Sequence, residues 1–278
     1  MAFAIEELSG IYPEEETKAI TLWLFEEFLG VGRVDFQLNL NNGMSESELL
    51  KFNFAIKDLK KGKPIQHVLG YTWFLNLKLQ VNEHTLIPRP ETEELVQYII
   101  SKENSNSSLK ILDIGTGTAC IPLALEKAMP QHKYYGLDFK SEIIELAQKN
   151  VQAQNSTIDL VQLDILKEDF SGDYDVIISN PPYVLESEKK EMHKNVVDFE
   201  PESALYVKDS APLLFYERII LQAKDHLHNN GRLYFEINEK YGTELSDLLI
   251  KHGFESIQII CDFRGRIRFS TAILRQKK

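Results

Sequence analysis

The sequence predicts an α/β fold in which a doubly wound, mostly parallel sheet follows a small helical domain. From Leu109 onward, apolar strand patterns alternate with amphipathic helix patterns, as in parallel sheets that carry helices on both faces. Three successive strand patterns end at an acid, namely Asp113, Asp138 and Asp164, and the fourth ends at Asn180. Open α/β sheets bind their ligands outside the carboxyl ends of the strands. We therefore expect the functional site at this edge of the sheet.

The first 70 residues predict the helical domain. An apolar face recurs every three or four residues between Pro13 and Gly30, which are residue types typical of the start and end of a helix. A second such face lies between a capping box at 45–48 and Gly62. We assign residues 1–70 to this domain.

Residues 71–90 predict a β-hairpin linker. Residues 75–81 alternate strictly between apolar and polar, as a strand with one buried face does. Pro88-Arg89-Pro90 then predicts a rigid bend, after which a helix is expected over 91–100. The second domain accordingly spans residues 91–278.

The second domain is predicted to contain strands and helices in regular succession. Strands are predicted over 109–114, 133–137, 158–163, 174–179, 231–237, 256–261 and 267–274, and helices over 118–129, 141–154, 212–228 and 241–252. The last two strands are too close in sequence for a crossover helix, so one of them is predicted to be antiparallel. The segment 184–211 has weak periodicity and several charges, which is typical of a loop over an active site.

Composition narrows the class of protein. The chain has 278 residues, is 43% hydrophobic and 26% charged, and carries a net charge of −11, which disfavours a direct nucleic-acid partner. Its two cysteines lack the spacing of metal ligands, so we predict reduced thiols, no metal site and a cytoplasmic protein. Neither a signal peptide nor an apolar run of ~20 residues is evident, so no membrane segment is predicted.

The first strand of the second domain leads into a turn with the sequence Gly115-Thr116-Gly117-Thr118-Ala119. Glycine permits a tight turn and lets a ligand approach the backbone closely. Asp138 follows this turn by about 20 residues, the spacing at which an acid holds both hydroxyls of a ribose. A dinucleotide site is the competing interpretation of the turn, and a helix cap or turn residue is the alternative for each acid.

Asn180-Pro181-Pro182-Tyr183 follows the fourth strand pattern. The two prolines donate no backbone N–H but keep their carbonyl acceptors. An amide oxygen, a proline carbonyl and an aromatic face together suit a planar NH₂ group, whose two hydrogens the acceptors take while the ring stacks on its plane. The alternative is a proline-rich turn that merely ends the strand.

With its flanking motifs, the chain resembles the HemK/PrmC-type protein-(glutamine-N5) methyltransferases, which modify the Gln of the Gly-Gly-Gln motif in peptide-chain release factors. The resemblance rests on Asn-Pro-Pro-Tyr together with three further segments. These are Pro-Ile-Gln-His-Val-Leu-Gly at 64–70, Leu-Ile-Pro-Arg-Pro-Glu-Thr-Glu at 86–93 and Phe-Glu-Pro at 199–201. It covers nearly the whole chain from Pro64 onward, and the helical N-terminal segment is similar in kind.

The resemblance implies a Rossmann-like, seven-stranded domain that uses S-adenosylmethionine, and an N-terminal domain that docks release factors. Two alternatives stay open: N-methylation of adenine N6 or guanine N2 in nucleic acid, and methylation of a glutamine in a ribosomal protein. The implied catalytic residues are Asn180, Pro181 and Tyr183, and Pro182 joins them in binding the substrate. The implied cofactor-binding residues are Asp113, Gly115, Thr116, Gly117, Thr118, Ala119, Asp138, Asp164, Ile165 and Asn180.

The chain departs from the family pattern at Ala119, where the third glycine of the turn is usual. We expect alanine to fit there through a negative φ. Arg89 and Glu91 are predicted either to face the pocket or to form a structural salt bridge. Glu200 either orders the loop after Tyr183 or is a solvated acid.

Overall fold

A computed structural model describes residues 2–30, 44–103, 105 and 107–275. Their contacts divide them between two compact units. One holds the residues up to Tyr71 together with His193–Phe199, and the other holds Thr72–Met192 and the residues from Glu200 onward. The domain bounds 1–70, 71–90 and 91–278 stay a prediction.

The regular elements are numbered here in chain order. The helices are α1 (Ala2–Leu8), α2 (Glu14–Leu29), α3 (Glu46–Lys60), α4 (Ile65–Leu69), α5 (Pro90–Glu103), α6 (Cys120–Ala128), α7 (Ser141–Ala153), α8 (Lys194–Phe199), α9 (Glu202–Leu205), α10 (Leu214–His226) and α11 (Gly242–Lys251). The strands are β1 (Tyr71–Phe74), β2 (Leu77–Gln80), β3 (Lys110–Ile114), β4 (Lys133–Asp138), β5 (Asp159–Gln162), β6 (Tyr174–Ser179), β7 (Val184–Leu185), β8 (Tyr206–Val207), β9 (Leu227–Glu236), β10 (Phe254–Cys261) and β11 (Ile267–Leu274). Within the described ranges, none of the helices is long and apolar enough to cross a membrane.

The helical unit is built as its sequence predicts. The capping box is present at the start of α3, where the Ser45 hydroxyl accepts from the Glu48 N–H and the Ser45 N–H donates to the Glu48 carboxylate at 2.8 Å. Gly30 ends α2 with a φ of 63°, a left-handed conformation that glycine adopts without steric cost. Leu8, Leu24 and Leu59 meet in a fully buried core.

The central sheet has seven strands among the described residues, in the order β10-β11-β9-β6-β3-β4-β5. Strands β9, β6, β3, β4 and β5 are parallel, whereas β11 runs antiparallel to both β9 and β10. The prediction of one antiparallel strand at the end of the chain is therefore confirmed. Chain order reverses between β3 and β6, which is where such sheets bind ligands.

Helices cover both faces of this sheet. Successive residues of its buried strands point to opposite faces, so each buried strand packs against helices on both sides. In β6, Val176 and Ile178 join the apolar cluster beneath α5, α6 and α7. Ile177 joins the cluster beneath α10 and α11. The apolar runs of the inner strands are thus buried on both faces, as in other parallel sheets.

Two local predictions were wrong. Residues 75–81 do not form one strand, because Leu75 and Asn76 adopt φ angles of 43° and 65° and make the turn of a hairpin between β1 and β2. Two-residue hairpin turns require this left-handed backbone. Segment 184–211 is not an irregular loop: β7 and β8 pair within it, and the short helices α8 and α9 lie between them.

Candidate active site

A cavity of about 340 Å³ lies at the carboxyl ends of β3, β4 and β6. Its wall combines the glycine turn after β3, Asp138 at the end of β4, and Asn180 with both prolines after β6. The first turn of α5 contributes Thr92. The sheet thus gathers residues that lie far apart in sequence, and it does so at the edge that the strand-end acids predict.

The backbone of the turn is left-handed at every second residue. Gly115, Gly117 and Ala119 have φ angles of 76°, 55° and 62°. Added Cβ atoms at the two glycines would meet nothing within 4 Å, so the backbone there borders open space. The N–H groups of Gly115 and Thr116 both donate to the Leu137 carbonyl at 2.9 Å, which ties the turn to β4.

Ala119 is the residue at which our expectation about the turn was wrong. Its φ is positive, whereas we expected alanine to fit through a negative angle. The same periodicity explains why a glycine is usual at this position, since left-handed backbone costs a residue with a Cβ about 1–2 kcal/mol. Ala119 is fully buried in the core cluster and does not line the cavity among the described residues.

Asp138 is fixed by backbone donors at the cavity wall. Its carboxylate accepts from the Gly117 N–H at 2.9 Å and from the Phe139 N–H at 2.8 Å. Burial raises the pKa of Asp138 to about 6, although these two hydrogen bonds oppose the rise. The remaining acceptor positions of the carboxylate suit a pair of hydroxyl groups.

Asp113 is 1% exposed and is not among the described residues that line the cavity. Neither carboxylate oxygen has a hydrogen-bond partner within the described part of the chain, and neither do the buried hydroxyls of Thr116 and Thr118, which line the cavity. Burial raises the pKa of Asp113 to about 7, the nearby Thr116 hydroxyl opposes the rise, and the charge of Asp138 adds to it. A buried carboxylate without a donor is costly, so this group is suited to a cationic ligand.

Asp164 and Ile165 also line the cavity. The Asp164 carboxylate accepts from the Leu166 N–H at 3.1 Å and pairs with Lys167 at 2.7 Å, and the hydrogen bond to Lys167 is the main reason its pKa is lowered. Asp164 thus makes the local contacts of a turn residue and also lines the cavity, so its predicted contact with the cofactor stays a prediction. Asp164 and Ile165 follow closely after β5, the strand at one end of the sheet.

Asn180, Pro181 and Pro182 form the wall at the end of β6. The Asn180 side-chain nitrogen donates to the Thr92 hydroxyl at 3.2 Å. Tyr183 is placed differently, since within the described ranges it does not line the cavity. Its hydroxyl donates to Glu236 at 2.9 Å, and its ring packs against the core beneath α10 and α11.

The sequence analysis missed Thr92, Glu236 and the role of Arg268. Thr92 donates to the Glu236 carboxylate at 2.7 Å, and the two residues are 2% and 1% exposed. Burial raises the pKa of Glu236, whereas the hydrogen bonds from Thr92 and Tyr183 and the charge of Arg268 lower it. Glu236 ends β9, so the rule of strand-end acids would have identified it.

Arg89 and Glu200 form a salt bridge. The Arg89 guanidinium contacts the Glu200 carboxylate at 2.6 Å, and the other Glu200 oxygen accepts from the Ile87 N–H at 3.0 Å. The Glu200 side chain is 1% exposed, so it is not a solvated acid. The pair joins the segment before α5 to the segment after α8, and Arg89 also lines the cavity.

Comparison with known proteins identifies the family. A model described as the PrmC N-terminal domain matches residues 1–70, and one described as the methyltransferase small domain matches residues 92–201. The release factor glutamine methyltransferase of Flavobacterium psychrophilum is 43% identical over 95% of this chain and 94% of its own. The chain belongs to the release factor glutamine methyltransferase family. A relative of the same name from Bacteroides thetaiotaomicron is 38% identical over 98% of both chains.

Solved structures agree on the fold of this family member. A methyltransferase from Pyrococcus furiosus matches 84% of the chain and all of its own with a TM-score of 0.55 and 22% identity. The catalytic domain of human Mettl16, solved with an RNA hairpin, matches 86% of the chain and 87% of its own with a TM-score of 0.57 and 17% identity. At these identities the likeness shows the Rossmann-like methyltransferase fold alone.

The release factor glutamine methyltransferase family is a class I methyltransferase family, so S-adenosylmethionine is the methyl donor of this chain. The cavity fits this cofactor by its chemistry. The cofactor carries a cationic amine, a ribose with two hydroxyls and an adenine. Asp138 lines the cavity and suits the ribose. Asp113 is buried two residues before the glycine turn and is not among the described lining residues, and its carboxylate would suit the amine by its charge. The open space beside Gly115 and Gly117 allows close approach to the backbone.

Proposed function

We propose that this protein methylates the side-chain nitrogen of glutamine in the Gly-Gly-Gln motif of peptide-chain release factors. The proposal is supported by two relatives with this activity in their names, which match almost the whole chain. The observation that carries it is the orientation of Asn180, whose NH₂ group is engaged by Thr92. Its oxygen is thereby left as an acceptor beside the two prolines that line the cavity.

A glutamine amide presents two N–H donors in one plane. Asn180 Oδ1 and the Pro181 carbonyl would accept these two hydrogens and stabilise the charge that develops on the nitrogen. Neither Pro181 nor Pro182 has an N–H that would compete for an acceptor. Tyr183 would hold the amide plane, and this role stays a prediction because in the described residues its ring lies outside the cavity wall.

The cofactor supplies an electrophilic methyl group attached to a positively charged sulfur. We propose that Asp113 holds its amine and Asp138 its ribose, that the backbone of Gly115, Thr116, Gly117, Thr118 and Ala119 forms the adjoining wall, and that Asp164 and Ile165 lie by the adenine. Alignment of the two reactants can remove ~7–11 kcal/mol of the barrier. The alkylated nitrogen loses its proton readily, so the site needs no strong general base.

The other substrates considered are an exocyclic amine of nucleic acid and a glutamine of a ribosomal protein. The net charge of −11 disfavours the first. We propose that release factors are the protein partner, that the N-terminal helices dock them, and that the reaction takes place in the cytoplasm, where translation occurs. The two described cysteines are unpaired, which agrees with this compartment.

Labelled S-adenosylmethionine, incubated with a release factor, ribosomes, tRNA or DNA in separate reactions, tests the substrate. We expect label in the release factor alone, and mass spectrometry should place one methyl group on the Gln of Gly-Gly-Gln. A release factor with that Gln replaced by Ala is the matched control and should take up no label. Label that enters only nucleic acid or only ribosomal protein would contradict the proposal.

A further inference from the structure

We propose that Thr92 and Glu236 are positioning residues that fix the Asn180 side-chain amide with its oxygen toward the substrate, an inference that rests on the proposed function. The three side chains form one chain of hydrogen bonds. Asn180 Nδ2 donates to Thr92 Oγ1 at 3.2 Å, and Thr92 Oγ1 donates to Glu236 Oε2 at 2.7 Å. Thr92 and Glu236 are buried, so water does not replace these contacts.

The direction of the chain follows from the chemistry of Glu236. An ionised carboxylate only accepts hydrogen bonds, so the Thr92 hydroxyl must donate its single hydrogen to Glu236. The Thr92 oxygen then has only lone pairs to offer Asn180. If the Asn180 amide oxygen faced Thr92, two acceptors would meet with no hydrogen between them. The Asn180 NH₂ group, in contrast, can donate to the Thr92 oxygen. The ionised carboxylate therefore selects one of the two amide orientations.

The selected orientation matters for the proposed reaction. The oxygen and NH₂ ends of an asparagine amide are similar in size, so packing alone discriminates poorly between them. With its oxygen toward the cavity, Asn180 accepts an N–H of the substrate amide. In the flipped orientation, its NH₂ would face the substrate NH₂, donor against donor. Among the described residues no donor occupies Asn180 Oδ1, so this atom is available to the substrate.

Burial raises the pKa of Glu236, and the hydrogen bonds and the cationic charge around it oppose that rise. Tyr183 donates to Glu236 Oε1 at 2.9 Å, so both carboxylate oxygens receive a hydroxyl hydrogen. The charge of Arg268 on β11 stabilises the carboxylate, while the charge of Glu91 opposes it. The Tyr216 hydroxyl donates to the Glu236 backbone carbonyl at 3.0 Å and holds the end of β9. Glu236 thus connects both ends of the Asn-Pro-Pro-Tyr motif.

Thr92→Val tests the role of the hydroxyl, because valine keeps the shape of threonine and lacks the hydroxyl group. Thr92→Ser is the matched control, since it keeps the hydroxyl and loses a methyl group. In single-turnover methylation of a release factor, we expect Thr92→Val to be about 5- to 150-fold slower, because it loses one buried hydrogen bond. Its KM for the release factor and its affinity for S-adenosylmethionine should change less than about threefold, and Thr92→Ser should stay within about fivefold of wild type.

An NMR measurement reports on the orientation without any methylation. The side-chain NH₂ signal of Asn180, assigned by its absence from Asn180→Ala, should exchange hydrogen with solvent slowly in wild type and Thr92→Ser, and faster in Thr92→Val and Glu236→Gln. Equal exchange in all of these proteins would overturn the inference. An equal loss of rate in Thr92→Val and Thr92→Ser would also overturn it, because packing would then explain the effect.

The two proposals fail in different ways. If wild type methylates no release factor, the proposed function is wrong, while the hydrogen exchange of Asn180 still decides whether Thr92 and Glu236 hold its amide. If wild type is active and Thr92→Val has the same rate, the positioning role is wrong and the function stands. Thermal unfolding of each variant checks that the fold is retained, and Glu236→Gln provides a second route if Thr92→Val is unstable.

Discussion

Asp113 permits a quantitative test of how the cofactor is held. Its carboxylate is buried and has a pKa of about 7, because burial raises the pKa more than the nearby Thr116 hydroxyl lowers it. A cationic amine bound beside it stabilises the ionised form. Binding of S-adenosylmethionine should therefore release a proton from Asp113 below pH 7, and the affinity should rise with pH until the carboxylate is fully ionised.

The size of the effect follows from the fraction ionised. With a pKa of about 7, Asp113 is about 3% ionised near pH 5.5 and about 50% ionised at pH 7, so its contribution to the affinity rises about 16-fold. Asp138, with a pKa of about 6, contributes a further factor of about four over the same range. The α-amine of the cofactor keeps its proton here, because α-amines titrate near pH 7.7–8.0.

Calorimetric titration across this pH range measures the affinity for S-adenosylmethionine. Repeating it in buffers with different ionisation enthalpies gives the number of protons released on binding. Asp113→Asn keeps the size of the side chain and removes its titration. We expect the variant to bind more weakly at pH 7 and to retain only the roughly fourfold pH dependence that Asp138 supplies. A variant with the same affinity and the same proton release as wild type would refute the assignment of Asp113.

The same substitution should affect the stability of the cofactor-free protein. The folded pKa of about 7 exceeds the ordinary value of 3.8, so between these values the folded state holds the extra proton. Stability then falls as pH rises, by up to about 4 kcal/mol for this group. Asp113→Asn should remove that penalty, with a gain in the free energy of unfolding at pH 8 that vanishes near pH 4.

Three further predictions concern single side chains. Asn180→Ala should slow single-turnover methylation about 5- to 150-fold with little change in cofactor affinity, and a wild-type rate would remove Asn180 from the reaction. Asp138→Ala should weaken cofactor binding by about 1–3 kcal/mol in calorimetry; unchanged affinity would exclude Asp138 from the site. Glu200→Gln should lower the free energy of unfolding by about 2 kcal/mol in denaturant titration, because it leaves Arg89 unpaired. The matched control Glu202→Gln breaks an exposed pair with Lys189 and should change it by less than about 1 kcal/mol, and equal effects would contradict a structural role for Glu200.

The sequence predicted the sheet well because burial on both faces leaves a strong apolar signal. Strands 174–179 and 267–274 have the predicted bounds. The hairpin after Tyr71 was predicted in kind, but its turn was missed, since Leu75 in left-handed backbone carries no compositional signal. The elements within 184–211 were missed because pairs as short as β7 and β8 show no periodicity.

Parts of the site were predictable where chemistry coincides with a strand end. Asp138 and Asn180 follow from this rule, and both line the cavity. Thr92 does not follow from this rule. It is one of several polar residues at the start of a helix, and its hydrogen-bond partner Glu236 lies 144 residues away in the sequence. The positive φ of Ala119 was likewise hidden, since only the backbone geometry shows why its neighbours two and four residues earlier are glycines.

Asp113 and Glu236 are two buried acids at one edge of the sheet, and their surroundings suit them to the different roles proposed for them. Both are 1% exposed. Glu236 accepts from two hydroxyls and lies near the charge of Arg268, so its carboxylate is satisfied within the protein and suits a fixed positioning role. The Asp113 oxygens make no hydrogen bond of normal geometry to a described residue, and the nearby Thr116 hydroxyl offsets only part of the effect of burial. The free protein is therefore destabilised whenever Asp113 is ionised, until a ligand supplies a compensating charge. The free energy recovered on binding then adds to cofactor affinity, which is why an acid that destabilises the free protein is suited to hold a cationic cofactor.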